Sequence, residues 1–129
     1  MPIGRVVAVW MLLMLVETAH GIAREVFLAP LLGDLQARQL GVAVGSLLVF
    51  LIALATVRWM GARTARSQWM AGGTWVALTF SFEVLLGLWL GFSWHRILAD
   101  YDPARGGFMV LGLVVMLIAP RVTARIRGL

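Results

Sequence analysis

Residues 16–25 read VETAHGIARE, and whether they end a membrane segment or continue one decides how often this chain crosses a bilayer. They follow the apolar run VVAVWMLLMLV and place Glu17, His20, Arg24 and Glu25 within nine residues. Three readings compete: a cleaved leader ending near Gly21, a helix that stops there, or a membrane helix that continues and holds a site. Continuation is favoured, because GIAREVFLAP keeps the apolar face going and a lone acid, Glu83, sits in another apolar segment at a matching depth. Removing the segment would leave Glu83 alone in the membrane.

Composition agrees with a membrane setting. Hydrophobic residues make up 61% and charged ones 13% of 129 residues, with a mean hydropathy of +0.92, outside the range of soluble domains. A chain of this length holds a few spans and short loops, hence one compact membrane unit and no separate soluble domain. Cysteine is absent, which removes disulfides, thiolate metal sites and thiol catalysis. The net charge of +5 is carried by arginine without any lysine, and these arginines sit at segment ends, where topology explains them before nucleic-acid binding does.

Four spans are expected, at about 6–28, 40–57, 69–94 and 104–119, with Pro30 and Pro120 as stops and a basic surface tail at 120–129. Asp102 suits an N-cap and Pro103 the first position of the fourth helix; Asp34 likewise suits a cap leading into the second. The stretch between Arg24 and Arg38 is apolar enough to lie in the interface or dip back into the bilayer. The fold class that follows is all-α, an integral membrane four-helix up-and-down bundle. Counting alternate loops puts seven arginines (5, 58, 63, 66, 121, 125, 127) on one side without an acid, and four (24, 38, 96, 105) on the other, balanced by Glu25, Asp34, Asp100 and Asp102. The positive-inside rule then places both termini in the cytoplasm. Trp59, Trp69 and Trp94 fall at interfacial levels, and the arginines of the tail are also suited to anionic lipid. Compact, arginine-marked loops point to a prokaryotic inner membrane.

Depth brings two acids together. At about 1.5 Å per residue, Glu17 lies on the order of 18 Å beyond Arg5, and Glu83 on the order of 21 Å beyond Trp69. A carboxylate near mid-membrane costs on the order of 3 kcal/mol, so such groups face a partner or a cavity. Glu17, His20, Gly21 and Arg24 share a helical stripe continued by Leu13 and Trp10; around Glu83 the same construction collects Gly72, Val76, Thr79, Gly87 and Trp94. The pairs Gly41/Gly45 and Gly87/Gly91 suit close helix contacts, within the chain or between the copies of a homodimer.

The first functional reading is transport of a proton-coupled or cationic small solute, with Glu17 and Glu83 binding, His20 relaying, Arg24 shaping the outer mouth, and Thr79 on the same face. Its plain alternative is a set of buried pairs, such as Arg24 with Glu17 or Glu25, that hold the bundle. A second reading uses ETAH as Glu-x-x-His: in a twofold dimer, two copies of Glu17 with His20 and two of Glu83 match the ligand count of a di-metal carboxylate site and would allow oxidase or hydroxylase chemistry. Haem fits poorly, because His95 lies far from the level of His20 and reads as an interfacial residue. A third reading is an accessory or scaffold subunit of a larger membrane complex. No phosphate loop, nucleophile elbow or zinc-protease helix is present, so catalysis has no positive signal and no cofactor is specified.

GGTWVALTFSFE, residues 72–83, resembles the glycine, threonine, phenylalanine and serine pattern of the small four-helix fluoride channels, a family of similar chain length. The resemblance covers about a dozen residues and ends there. The chain has no asparagine, whereas those channels use one in their second helix, and its arginine bias departs from their balanced loops, so no activity is carried over.

Overall fold

A computed structural model describes residues 2–102, 104 and 109–129. Among these residues every regular element is helical: α1 (Ile3–Ala23), a π-helical turn (Arg24–Leu28), α2 (Ala29–Leu32), α3 (Asp34–Thr56), α4 (Ala65–Trp89), α5 (Trp94–Ala99) and α6 (Met109–Ile126). Four stretches are long and apolar enough to cross a membrane: Ile3–Leu32, Asp34–Thr56, Ala65–Trp89 and Met109–Ile126.

All four differ from the expected spans at their ends, for local reasons. Pro30 does not stop the first span. In a regular helix its ring would press on the carbonyl of residue 26, but the preceding turn is widened, with the Ala29 N–H bonded to the Arg24 carbonyl five residues back. The stretch therefore stays helical to Leu32 and breaks at Gly33, whose φ of 86° is a conformation that glycine adopts without strain. The 29–39 connection is thus α2, one glycine and the start of α3. Asp34 is the first residue of α3 and makes no capping bond.

α4 begins four residues before Trp69, because Thr64 and Ser67 form a reciprocal capping box: each side chain accepts from the other's backbone N–H at 3.1 Å. It ends at Trp89, short of Trp94, where Gly91 takes a φ of 84° and the Phe92 N–H returns to the Gly87 carbonyl. Trp94 instead opens α5, whose Ser93 cap accepts from the Arg96 N–H at 3.2 Å. Gly91 is therefore a helix stop, and within the chain nothing packs against it.

Pro120 does not stop the last span either. It is buried inside α6, which runs on to Ile126, and of the expected surface tail Thr123 and Ala124 are fully buried while Val122, Arg125, Ile126 and Gly128 are exposed. Gly128, at a φ of 78°, closes the helix, with Leu129 N–H bonded to the Ala124 carbonyl and Gly128 N–H to that of Arg125. Two arginines fasten this end to α3: Arg127 donates to the Leu54 carbonyl at 2.7 Å, and Arg58 to the Arg127 carbonyl at 2.6 Å. At the other end, Asp102 accepts from the Ala104 N–H at 3.0 Å; Pro103 and residues 105–108, where the expected cap continues, lie outside the described residues, and α6 is described from Met109.

Side-chain contacts fix the register. Trp75 Nε1 donates to the Val6 carbonyl at 3.1 Å and Trp10 Nε1 to Thr79 Oγ1 at 3.0 Å, both across 69 residues, so α1 and α4 run side by side in the same direction. Gln68 meets Arg121 and Thr79 meets Met116, numbers rising against numbers falling, so α4 and α6 oppose each other. Gly45 lies against Glu17, and Gly41 against His20 and Arg24, so α3 opposes α1. The apolar core is concentrated at one end, where Val6, Leu13, Val57, Met60 and Trp75 are fully or almost fully buried. The other end opens into a cleft.

Candidate functional site

The opposite end holds a cleft of about 780 Å³ lined from α1, the π-helical turn, α3, α4, α5 and α6. Glu17, His20, Arg24, Thr79 and Glu83 all border it. The stripe read from sequence thus faces inward, because its members recur every three or four residues on one side of α1.

The two acids approach the same level. With a constant offset of 69, Glu17 is level with Leu86, which puts Glu83 three residues, about 4.5 Å, nearer the closed end. Counting depth from Arg5 and Trp69 reverses this order, because the offset of 69 sets Arg5 level with Thr74 and leaves Trp69 five residues nearer the closed end. They stay within a turn of one another, and each carboxylate lies within range of Arg24's charge.

Gly41 and Gly45 make room for the polar face of α1. A Cβ on Gly45 would stand 2.7 Å from Glu17 Oε2, and one on Gly41 would stand 2.9 Å from Arg24 Cδ and 3.6 Å from His20 Cε1. The small-residue pair in α3 therefore seats charged side chains of the same chain. Glu17 Oε1 is buried without a hydrogen-bond partner, and so is Arg24 Nε. Arg24 reaches Glu25 only through Nη2, at 3.4 Å and with Glu25 about half exposed, a contact that contributes little.

Thr79 is held by two bonds: it accepts from Trp10 and donates to Met116 Sδ at 3.1 Å. Trp10 in turn meets Phe82 edge-on, with 6.2 Å between centroids. The Thr79 hydroxyl thus gives its one proton to Met116 and one acceptor site to Trp10, which ties α1, α4 and α6 together one turn from Glu83.

A ring of charges at the mouth went unseen in sequence. Arg38 contacts Asp100 and lies 3.0 Å from Asp34, while Arg96 lies 3.3 Å from Asp100 and 3.7 Å from Asp34. Two arginines and two aspartates thereby tie α3 to α5. Asp34 serves this ring, which explains its absence from the helix cap. The signal was present as two Asp/Arg pairs at i,i+4 spacing, but loop counting absorbed them as charge balance. A second missed contact lies at the closed end, where buried Gln68 donates to the Ala62 carbonyl and accepts from Arg121, both at 3.0 Å.

Tyr101 sits beside the ring. Its ring meets Phe80 edge-on at 5.3 Å, and its hydroxyl is buried without a hydrogen-bond partner. Burial, then the charges of Glu83 and Asp100, push its phenol up to about 12. The raised value favours the protonated form in the fold, so stability is at its full value below pH 10 and falls as the pH climbs toward about 12. Tyr101 is the one tyrosine of the chain, so an absorbance titration at alkaline pH reports it alone. Ionisation should come near the raised value in the folded protein, and return to the ordinary range on unfolding; an ordinary midpoint in both states contradicts the burial.

Among the described residues no group of three or more His, Cys, Asp or Glu is placed to hold a metal. The Glu17, His20 and Glu83 metal reading thus rests wholly on a second copy. In comparisons with protein families, with curated proteins and with solved structures, nothing matches this chain. What the fold defines is a class: an all-helical chain with four membrane-length apolar helices, the pattern of a multi-pass membrane protein.

Proposed function

We propose that the protein carries a small cationic solute, or a solute coupled to protons, across a membrane. Glu17 and Glu83 bind the charge, His20 relays protons toward the mouth, and Arg24 sets the field there. The observation that carries this reading is the pair of carboxylates from two parallel helices bordering one cleft, with Glu17 Oε1 left without a partner inside it. A structural ion pair would have engaged that oxygen; a binding site leaves it available. In this reading the bundle is up-and-down with both termini cytoplasmic, supported by the helix register and by the seven arginines at the closed side, and it belongs to a prokaryotic inner membrane.

Purified protein in vesicles tests it. With an imposed pH gradient, alone and with methylammonium or guanidinium outside, wild-type vesicles should dissipate the gradient faster than empty ones. Glu17→Gln and Glu83→Gln should each return the rate to that of empty vesicles. Unchanged flux in either variant removes that residue from the mechanism, and flux absent in the wild type for every probe removes the reading.

A further inference from the structure

The cleft holds charges of both signs, some of which pair at its mouth while Glu17 and Glu83 do not. Among the described residues no ion pair joins Arg24 to Glu17 or Glu83, although all three border the same space. Arg38 and Arg96 are engaged by Asp34 and Asp100, whereas Arg24 meets only the half-exposed Glu25, through Nη2 at 3.4 Å. Its Nε–H is a buried donor without an acceptor, and Glu17 Oε1 is a buried acceptor without a donor. An unsatisfied buried group of either kind destabilises the fold, the more so when charged.

The two orphan groups are close enough for one small molecule to satisfy both. Arg24 rests over Gly41 and Glu17 over Gly45, one helical turn apart on α3, about 6 Å along its axis. No ion pair bridges the two side chains, and a Cβ on Gly41 would meet the His20 ring as well as Arg24. A bare cation would satisfy Glu17 but leave the Nε–H unbonded and stand beside a guanidinium. A bare anion meets the opposite conflict with two carboxylates. A ligand with an ammonium and an oxyanion joined by a few atoms satisfies both ends, the ammonium donating to Glu17 and Glu83 and the oxyanion accepting from Arg24.

We infer that the cleft binds a short zwitterion, its ammonium toward Glu17 and Glu83 and its oxyanion on Arg24. This rests on the transport reading of the same site and narrows its solute class. The same chemistry is available from a free amino acid and from the headgroup of an ethanolamine phospholipid.

The test uses the full chain in nanodiscs of phosphatidylglycerol, with calorimetric titration by glycine, β-alanine and 4-aminobutyrate, and by methylamine, ethylamine and propylamine as partners lacking the oxyanion. At least one zwitterion should bind about tenfold or more tighter than its amine. Arg24→Gln should erase that advantage, zwitterion and amine then binding alike whatever their common affinity, and Glu17→Gln should weaken both. In discs containing phosphatidylethanolamine, retention of that lipid through exchange, with loss of zwitterion binding, assigns the ligand to a headgroup; undiminished binding assigns it to a soluble molecule. Amines that bind as tightly as the zwitterions, or an Arg24→Gln protein that still discriminates, overturn the inference and leave the cation reading standing. That reading falls separately, if the wild type gives no proton or amine flux above that of empty vesicles. Failure of all three zwitterions and of the ethanolamine lipid to bind also overturns the inference.

Discussion

Gly72→Ala is expected to break the contact between α4 and α6 and to cost the fold about 3 kcal/mol, at the upper end for one added core methyl group. A Cβ at this position would stand 2.0 Å from the Leu117 carbonyl oxygen, 2.8 Å from its carbon and 3.0 Å from its Cα. All three atoms are backbone in the middle of α6, so no rotamer change relieves the overlap; one helix has to move away from the other. The movement would loosen Trp75, which is fully buried a turn away, and Thr79, whose bonds join Trp10 and Met116. Membrane helices associate through such close approach of small residues, because lipid supplies little hydrophobic drive between them. Gly73→Ala is the control: nothing lies within 4 Å of its Cβ position, and alanine is the better helix former by about 1 kcal/mol. Unfolding in mixed micelles should therefore separate the neighbours in sign, with Gly72→Ala destabilised and Gly73→Ala unchanged or more stable. Equal behaviour of the two would mean that α4 and α6 are not in this contact.

Gly72 also shows what kind of information the sequence carried. The four apolar segments and the inward stripe through Glu17, His20 and Arg24 were legible, because hydrophobic length and helical period are local properties that tertiary packing seldom reverses. Helix ends were less so. Pro30 and Pro120 carry the ordinary signature of a stop, yet one is admitted by a π turn and the other is buried within a helix. The true ends lie at Gly33, Gly91 and Gly128, each with positive φ, while the capping box at Thr64 and Ser67 was visible and outweighs Trp69 as a boundary. The mouth ring was least legible. Asp34 with Arg38 and Arg96 with Asp100 are each readable as helical pairs, but only folding brings α3 and α5 together and makes one network of four. Similarly, Gly41 and Gly45 announce a close approach without saying to what.

What they approach gives the second large effect, this time on function. Gly45→Ala should leave the fold nearly as stable as before and lower flux by about tenfold or more, in line with what small misplacements of a working group cost. The Cβ would meet Glu17 Oε2 at 2.7 Å, with Cδ and Oε1 at 3.4 Å. Unlike the carbonyl facing Gly72, these atoms form the far end of a flexible side chain bordering an open cleft, so the carboxylate swings aside and α1 stays in place. Helix propensity even favours alanine at the site, by about 1 kcal/mol. Stability and transport should therefore part company, the reverse of a merely structural glycine, for which they fall together. Shortening the acid offers a check on cause: Glu17→Asp draws the carboxylate back from the added methyl group, so Gly45→Ala with Glu17→Asp should transport better than Gly45→Ala alone, although Glu17→Asp by itself is impaired. Recovery of that kind requires the two positions to act through one contact. If Gly45→Ala transports normally, the placement of Glu17 against α3 does not matter for flux, and the working carboxylate is Glu83 with Glu17 a bystander in the cleft.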